Sequence, residues 1–225
     1  MNTISVAIDG PAGAGKSTLA KSISGKLGYV YVDTGALYRT IGYYVFNKGI
    51  DPKNEADVAA VLPDIKVEMT YGDDGLQHML LNGQDVTNEI RLPAISMYAS
   101  DVSAHPPVRA FLLEMQRQLA RTYNVVMDGR DIGTVVLPEA QVKIFLTATP
   151  EVRAKRRQLD LLQRGTDEPF EKILKEIQER DWNDSHRATA PLKQADDAVL
   201  LDTTELTFEE SEAALLEIIR EKTAL

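Results

Sequence analysis

The sequence predicts an α/β fold in which a parallel five-stranded sheet is covered by helices on both faces. Three observations predict it. Short apolar runs rich in β-branched residues alternate with longer segments of helical periodicity, as in strands joined by crossover helices. Most of these runs are almost wholly apolar, which is typical of strands buried on both faces. Three runs end in an aspartate, at Asp9, Asp33 and Asp128, and parallel sheets bind ligands at the carboxyl ends of their strands.

The first strand and the loop that follows it carry the most specific motif. Residues 4–8 predict a buried strand, and helical periodicity runs from Lys16 to Leu27, with Gly28 as the expected C-cap. Between them lies the pattern G-x-x-x-x-G-K-[ST], whose glycines and helix N-terminus direct backbone amides at a phosphate. We predict that Lys16 binds the β- and γ-phosphates of ATP and that Ser17 is a ligand of Mg²⁺. The predicted ATP-binding residues of the loop are Gly10, Pro11, Ala12, Gly13, Ala14, Gly15, Lys16, Ser17 and Thr18.

The other elements of the alternating pattern follow in order. A second strand is predicted at 29–33 and a helix at 36–47. Asn54 is the expected N-cap of a short helix that Pro63 ends. Further strands are predicted at 124–128, 141–146 and 198–201, and further helices at 92–104, 108–123, 151–163, 169–187 and 208–222, the last with Thr207 as its N-cap.

Residues 63–91 interrupt this pattern. Apolar and polar residues alternate at 65–70, and strand-like runs follow at 76–81 and 84–90, with turn signals at 72–75 and at Asn82-Gly83. This indicates a small antiparallel sheet inserted into the parent domain. We therefore predict a single P-loop domain of residues 1–225, with a core at 1–62 and 92–225, a β-rich insert at 63–91 and a helical lid at 153–168.

Composition narrows the functional classes. The formal net charge is −9, which argues against a protein that coats nucleic acid. The chain has no cysteine, so disulfides and thiolate metal sites are excluded. We find neither a signal-peptide pattern nor an apolar stretch of about 18 residues. We therefore expect a cytoplasmic protein with no membrane partner. Nothing in the sequence demands an oligomer, so we expect a monomer.

Charged residues follow two of the predicted strands. Asp128 is expected to help hold Mg²⁺, directly or through a water molecule, with Arg130 and Asp131 projecting into the same crevice. Arg39 lies soon after the strand that ends at Asp33, where its guanidinium can bind a phosphate through two hydrogen bonds. A polar turn and a solvated arginine are the alternatives.

The helix predicted at 151–163 and its flank concentrate positive charge in an acidic chain. Arg153, Arg156 and Arg157 are spaced to share one helix face, and the loop at 165–169 is expected to be mobile. We interpret this segment as a lid that carries arginines over the triphosphate and excludes water, with Arg153 and Arg156 binding ATP. An ordinary charged surface helix is the alternative. Lys155 and Arg164 add to the positive charge, and Glu151 and Asp160 offset it.

The next helix carries a second polar pattern. Arg180, Asp184 and Arg187 recur at i, i+4 and i+7, so they are expected on one face, as an ion pair or as the lining of an acceptor site. Trp182 is expected to pack against the protein. The three histidines lack metal-ligand spacing and are expected to be structural or at the surface.

In this order, the motifs resemble those of the bacterial cytidylate kinases. The resemblance covers about residues 3–222 and rests on the phosphate loop, on 33–39, on 128–134, and on Arg180-Asp181 followed by 187–192. The β insert also matches the bacterial form. The resemblance implies transfer of the γ-phosphoryl group of ATP to CMP or dCMP in pyrimidine metabolism. The implied contacts are Ser100, Arg109 and Asp131 to cytosine, Thr34, Arg39, Arg130 and Arg187 around the acceptor phosphate, and Arg180 and Asp184 to the sugar.

Two positions depart from a common family pattern. Many relatives have Ser where this chain has Thr34, and many have Gly or Ser after the loop lysine, where this chain has Ser17. Both residues keep a hydroxyl, so neither departure puts the activity in doubt.

The expected mechanism depends on positive charge. The acceptor is a phosphate whose second pKa is roughly 6, so it is largely ionised at neutral pH and no general base is needed. Two polyanions must instead be brought together and the transferring group stabilised. The catalytic residues that we predict are Lys16, Asp128, Arg130, Arg157 and Arg187.

Two other functions use the same loop. A kinase of a small hydroxyl-bearing metabolite would need a carboxylate base, and Asp33 could serve. A GTPase switch would need the guanine-reading Asn-Lys-x-Asp, but Asn47-Lys48-Gly49-Ile50 has isoleucine in place of the aspartate and lies too early in the chain.

Overall fold

The computed structural model describes residues 3–72, 77–163 and 165–223. The chain divides into two compact units. The first comprises Met1–Tyr31 and Ala120–Leu225, and the second comprises Val32–Leu119. The predicted division into core, insert and lid stays a prediction.

A five-stranded parallel sheet is the framework of the fold, as the sequence predicts. Its strands are Ser5–Asp9 (β1), Val30–Asp33 (β2), Val125–Gly129 (β6), Val142–Thr147 (β7) and Val199–Asp202 (β8). Their spatial order is β2-β6-β1-β7-β8. In the parallel register of β1 and β6, Asp9 lies beside Gly129 and Ile8 beside Asp128. Asp9 and Asp128 therefore reach the same carboxyl edge of the sheet.

The described part of the first unit contains four long helices. Their bounds are Lys16–Leu27 (α1), Pro150–Gln163 (α6), Phe170–His186 (α7) and Phe208–Thr223 (α8). Ile8, Ile23 and Ile144 are almost fully buried in the core that α1, α8 and the sheet enclose. Thr207 caps α8 as predicted, because its hydroxyl accepts the Glu210 amide and the Glu210 carboxylate accepts the Thr207 amide.

The second unit contains the small antiparallel sheet. Its strands are Val67–Tyr71 (β3), Gln77–Leu81 (β4) and Gln84–Asp85 (β5), in the order β3-β4-β5. Asn82 and Gly83 have φ values of 51° and 83°, which matches the two-residue hairpin turn that this dipeptide predicts. The predicted turn at 72–75 lies mostly outside the described residues, as does Leu76 of the predicted second strand.

The third strand of this sheet is much shorter than predicted. Beyond Asp85, the hydroxyl of Thr87 accepts the amide of Met79, and the Thr87 amide donates to the Asp85 carboxylate. The Val86 amide still donates to the Met79 carbonyl oxygen, and beyond it side-chain bonds replace strand pairing. A 3₁₀ turn follows at Glu89–Arg91.

The remaining helices have bounds of Thr34–Asn47 (α2), Glu55–Val61 (α3), Pro93–Val102 (α4) and Pro106–Thr122 (α5). Asn54 caps α3 as predicted, by accepting the Asp57 amide. The α-helix ends at Val61, one residue earlier than predicted, and Pro63 lies in a 3₁₀ turn at Leu62–Asp64 that follows it. Helix α5 begins at Pro106, before the predicted start, because proline is tolerated in a first helical turn.

Trp182 contradicts its predicted packing role. Its side chain is 64% exposed, and its ring stacks on His186 with 3.5 Å between centroids. Separately, none of the helices described in the structure is both long and apolar enough to cross a membrane.

Helices α2 and α4 are in close contact at Gly42. A Cβ atom built there would lie 2.9 Å from the backbone nitrogen of Ala99 and 3.2 Å from Tyr98. We expect Gly42→Ala to lower the free energy of unfolding by about 1–3 kcal/mol, because the added methyl group overpacks this contact. Urea denaturation measures the change.

Gly25→Ala in α1 is the matched control, because a Cβ there meets nothing within 4 Å. It should raise the free energy of unfolding by roughly 0.5–1 kcal/mol through helix propensity. Equal effects of the two substitutions would contradict the packing explanation.

Candidate active site

The phosphate loop occupies the gap between β1 and α1. Gly10 has a φ of 151°, and a Cβ built on it would lie 1.9 Å from the carbonyl oxygen of Leu146. Only glycine fits there, because the loop leaves β1 against the backbone of β7. Gly13 and Gly15 have φ values of 75° and 90°, so the predicted glycine-dependent loop forms.

Lys16 begins α1 and folds back over the loop. Its Nζ donates a hydrogen bond to the carbonyl oxygen of Pro11 at 2.7 Å, and the residue is 5% exposed. Burial lowers the pKa of Lys16, and Arg130 and Arg180 lower it further, while Asp128 and Asp184 oppose them. The ammonium is therefore held among other cations, where an anionic ligand would favour its charged form.

Asp128 holds two hydroxyl groups at the end of β6. Ser17 donates to its Oδ2 at 2.8 Å, and Tyr31 donates to its Oδ1 at 2.9 Å. A hydroxyl beside a carboxylate is an oxygen donor pair that suits Mg²⁺, which is usually held by one or two carboxylates and by substrate phosphates. Over the described ranges, no group of three or more acidic or histidine residues could hold a metal ion.

Asp9 anchors the segment that follows β6. Its two carboxylate oxygens accept the amides of Ile132 and Gly133, each at 2.7 Å. Burial raises the pKa of Asp9 to about 6, so the carboxylate is mainly ionised at neutral pH. The anchored segment, Ile132–Val136, is π-helical, which the sequence pattern did not predict. Asp9 thereby fixes the backbone immediately after Arg130 and Asp131.

The two residues just before this segment, Arg130 and Asp131, each form an arginine–aspartate pair. Arg130 Nε donates to Asp184 at 2.8 Å, and Arg187 Nη2 lies 3.5 Å from Asp131. Burial disfavours the charge of Arg130, but Asp184, Asp128 and Asp9 outweigh it and raise the pKa of Arg130. Burial likewise disfavours ionised Asp184, but Arg130, Arg180 and Arg187 together lower its pKa. The charged forms therefore stabilise one another.

The predicted single helix face of Arg180, Asp184 and Arg187 is wrong for Arg187. Helix α7 ends at His186, and Arg187 has an extended backbone with φ −62° and ψ 142°. Its Nε donates to the carbonyl oxygen of Ala190 at 2.8 Å, and this bond folds the chain after the helix. The turn, and not helical spacing, directs Arg187 at Asp131.

The arginines of α6 have different surroundings. Arg153 is 3% exposed and pairs with Asp181, with 2.6 Å between Nη2 and Oδ2. Arg156 donates to the carbonyl oxygen of Thr203 at 2.7 Å, and Arg157 is exposed. The predicted common face therefore separates into buried and exposed positions. Arg164 lies outside the described residues.

The second unit contains the other predicted acceptor-site residues. Asp33 caps α2 by accepting the Ala36 amide at 3.0 Å, and its carboxylate lies 4.0 Å from Arg39. Arg109 is buried and donates to the carbonyl oxygen of Ser103 at 3.1 Å, with its guanidinium 5.5 Å from the centroid of the Tyr38 ring. Thr34 is buried and Ser100 is half-buried.

Three residues have roles that the sequence pattern does not predict. The pattern marks Asp9 only as a strand end and predicts no role for Tyr31 or Asp181. The acid directly before the phosphate loop was an available signal for Asp9. Tyr31 and Asp181 offered none, because their partners lie 97 and 28 residues away.

This fold and this site define a P-loop nucleotide-binding protein. The family model for cytidylate kinase matches residues 6–221. The cytidylate kinase of Caldicellulosiruptor bescii is 50% identical over 220 residues, covering 97% of this chain and 96% of the relative. That of Bacillus cereus is 48% identical over 216 residues, covering 96% of each chain. The chain belongs to the cytidylate kinase family and is a kinase.

Among solved structures, TT1252 from Thermus thermophilus aligns with a TM-score of 0.50 over 99% of both chains. It is 18% identical, so this likeness supports the fold alone.

Proposed function

We propose that this chain transfers the γ-phosphoryl group of ATP to CMP or dCMP, giving CDP or dCDP in pyrimidine nucleotide metabolism. The observation that carries the proposal is the charge cluster at the carboxyl edge of the sheet. There, Arg130 and Arg180 lie close enough to Lys16 to lower its pKa. An acidic chain that concentrates cations beside a phosphate loop is suited to bring two polyanions together.

The donor binds at the phosphate loop. The backbone amides of 10 and 12–18 surround the β- and γ-phosphates, since Pro11 has no N–H to donate. Lys16 exchanges its bond to the Pro11 carbonyl oxygen for a phosphate oxygen. Arg156 completes the ATP site from α6, and Arg157 of the same helix stays a proposed catalytic residue. Arg130 and Arg187 stabilise the charge that develops on the transferring group.

The predicted metal is Mg²⁺, and Ser17 and Asp128 fit it. These residues would hold the ion, which would supply charge neutralisation at the β- and γ-phosphates of bound ATP. Asp128 also orients the Ser17 hydroxyl through their 2.8 Å hydrogen bond.

The contacts that we propose for CMP are those that the family resemblance implies. Arg130 and Arg187, together with Thr34 and Arg39, bind the acceptor phosphate. The residues proposed for the cytosine ring are Ser100, Arg109 and Asp131, and those proposed for the sugar are Arg180 and Asp184. The cytoplasm stays the proposed compartment and a monomer the proposed state.

Tyr31 provides a test of the metal assignment. We expect Tyr31→Phe to raise the Mg²⁺ concentration for half-maximal rate about threefold to tenfold, because Asp128 loses a hydrogen bond of roughly 0.5–1.5 kcal/mol. The affinity of a nonhydrolysable ATP analogue, titrated with and without Mg²⁺, should change only when Mg²⁺ is present. Tyr29→Phe, on the same segment, is the control. Equal Mg²⁺ requirements in all three proteins would argue against this role.

A panel of acceptors tests the function. With ATP and Mg²⁺, CMP and dCMP should be phosphorylated with kcat/KM at least about a hundredfold above UMP and AMP, since a site built to hydrogen-bond one base discriminates strongly. Phosphorylation of a sugar or cyclitol without turnover of CMP or dCMP would favour the hydroxyl kinase. The capping bond that the Ala36 amide donates to Asp33 weighs against that alternative, because it occupies a carboxylate oxygen of the proposed base.

A further inference from the structure

Arg153 connects four segments of the first unit through one guanidinium group. Its Nε donates to the carbonyl oxygen of Ala148, just after β7, at 2.8 Å, and its Nη1 donates to Ala12 of the phosphate loop at 3.0 Å. Both terminal nitrogens bind Asp181 of α7, at 3.1 and 2.6 Å. The arginine itself belongs to α6. All three guanidinium nitrogens therefore donate hydrogen bonds to protein oxygens, and the residue is only 3% exposed.

The phosphate loop also packs directly on this arginine. A Cβ built on Gly13 would lie 3.3 Å from the Cβ of Arg153 and 3.5 Å from its carbonyl oxygen. The first turn of α6 therefore contacts the phosphate loop at Gly13. The side chain of Arg153 extends from this turn to Asp181.

Helix α7 extends this connection to the acceptor side of the site. Asp184 lies three residues after Asp181 and binds Arg130 at 2.8 Å. Residues three apart share a helix face, so displacement of Asp181 moves Asp184 with it. The chain of contacts runs from Ala12 through Arg153, Asp181 and Asp184 to Arg130.

We propose that Arg153 is a positioning residue that, through Asp181, sets the place of α7 and of Arg130 relative to the phosphate loop. This inference rests on the proposed function and replaces the predicted role of Arg153 as an ATP ligand. Arginine is required because a lysine ammonium cannot form a two-point contact with Asp181 and also reach Ala12 and Ala148.

A double-mutant cycle of Arg153→Lys and Asp181→Asn tests the proposal. Each single variant should lower kcat/KM for CMP about 30-fold, and the double variant should also lose about 30-fold, because the first change already breaks the connection. Affinity for a nonhydrolysable ATP analogue should stay within about twofold of wild type in all three. The matched control is the exposed α7 pair Lys175 and Glu179, 3.8 Å apart, and Lys175→Gln with Glu179→Gln should leave kcat/KM unchanged.

Three results would overturn the proposal. The losses could multiply to about 900-fold, which would make the two residues independent. Arg153→Lys could weaken analogue binding more than about tenfold while Asp181→Asn does not, which would make Arg153 an ATP ligand. Asp181→Asn could keep wild-type kcat/KM, and this result is decisive even where Arg153→Lys does not fold.

Thermal unfolding separates this inference from the proposed function. The melting temperature should fall by about 10 °C in each single variant and by no more in the double variant. Equal losses in the single and double variants would show that Arg153 and Asp181 act together, whichever acceptor is used. Absence of CMP and dCMP turnover in the wild type would count against the proposed function, and kcat/KM would then be measured with the acceptor that the wild type does phosphorylate.

Discussion

Lys16→Met should reduce kcat by about 10³-fold, the largest effect that we expect from a single substitution. The ammonium is the cation placed at the start of α1, and its hydrogen bond to Pro11 keeps it over the loop. Methionine has a similar length but no charge, so the transferring phosphoryl group loses a cation that no neighbour replaces. Steady-state kinetics with saturating ATP and CMP measures the loss.

Stability distinguishes this effect from misfolding. Burial lowers the pKa of Lys16, so the charged form of the side chain reduces the stability of the folded protein. Methionine removes that cost, and the urea midpoint of Lys16→Met should equal or exceed that of the wild type. Lys21→Met, at an exposed position of the same helix, is the control and should keep both activity and stability. Wild-type turnover by Lys16→Met would contradict the proposed donor site.

Arg130→Ala should lower kcat/KM for CMP by about 10²- to 10³-fold while nearly preserving ATP binding. It should also lower the free energy of unfolding by about 3–5 kcal/mol, because buried Asp184 is left without its 2.8 Å partner. Kinetics, titration with an ATP analogue and urea denaturation give the three quantities.

A second substitution separates activity from stability. In Arg130→Ala with Asp184→Ala, the unpaired charge is gone, so stability should largely return while activity does not. Arg187→Ala should show the same loss of turnover and acceptor affinity as Arg130→Ala. Arg220→Ala, exposed on α8, should behave as wild type. Wild-type kinetics in both Arg130→Ala and Arg187→Ala would refute the acceptor assignment.

Residues with local signals were predicted well. The phosphate loop could be predicted because its glycines, lysine and serine act on their own backbone and on the helix that they begin. The end of α1 at Gly28, the Asn54 cap and the Asn82-Gly83 turn are likewise confirmed, since each depends on residues a few positions apart.

Predictions that extended helical spacing beyond a helix were less successful. The predicted helix face was wrong for Arg187 because helical spacing holds only within the helix, which ends at His186. The prediction that Trp182 packs against the protein was wrong because apolar character alone does not say which side of a helix is covered. The third strand of the small sheet stopped short because the Thr87 side chain took the place of strand pairing.

The sequence by itself determined the order of strands and helices, the phosphate loop and the family, because each depends on contiguous residues. Only the tertiary structure decided which acid each arginine meets and which charges are buried. Asp9 binds amides 123 and 124 residues away, and Arg153 reaches a carbonyl oxygen 141 residues away. Such pairings are selected by desolvation and geometry at the packed sheet edge, and no local pattern encodes them.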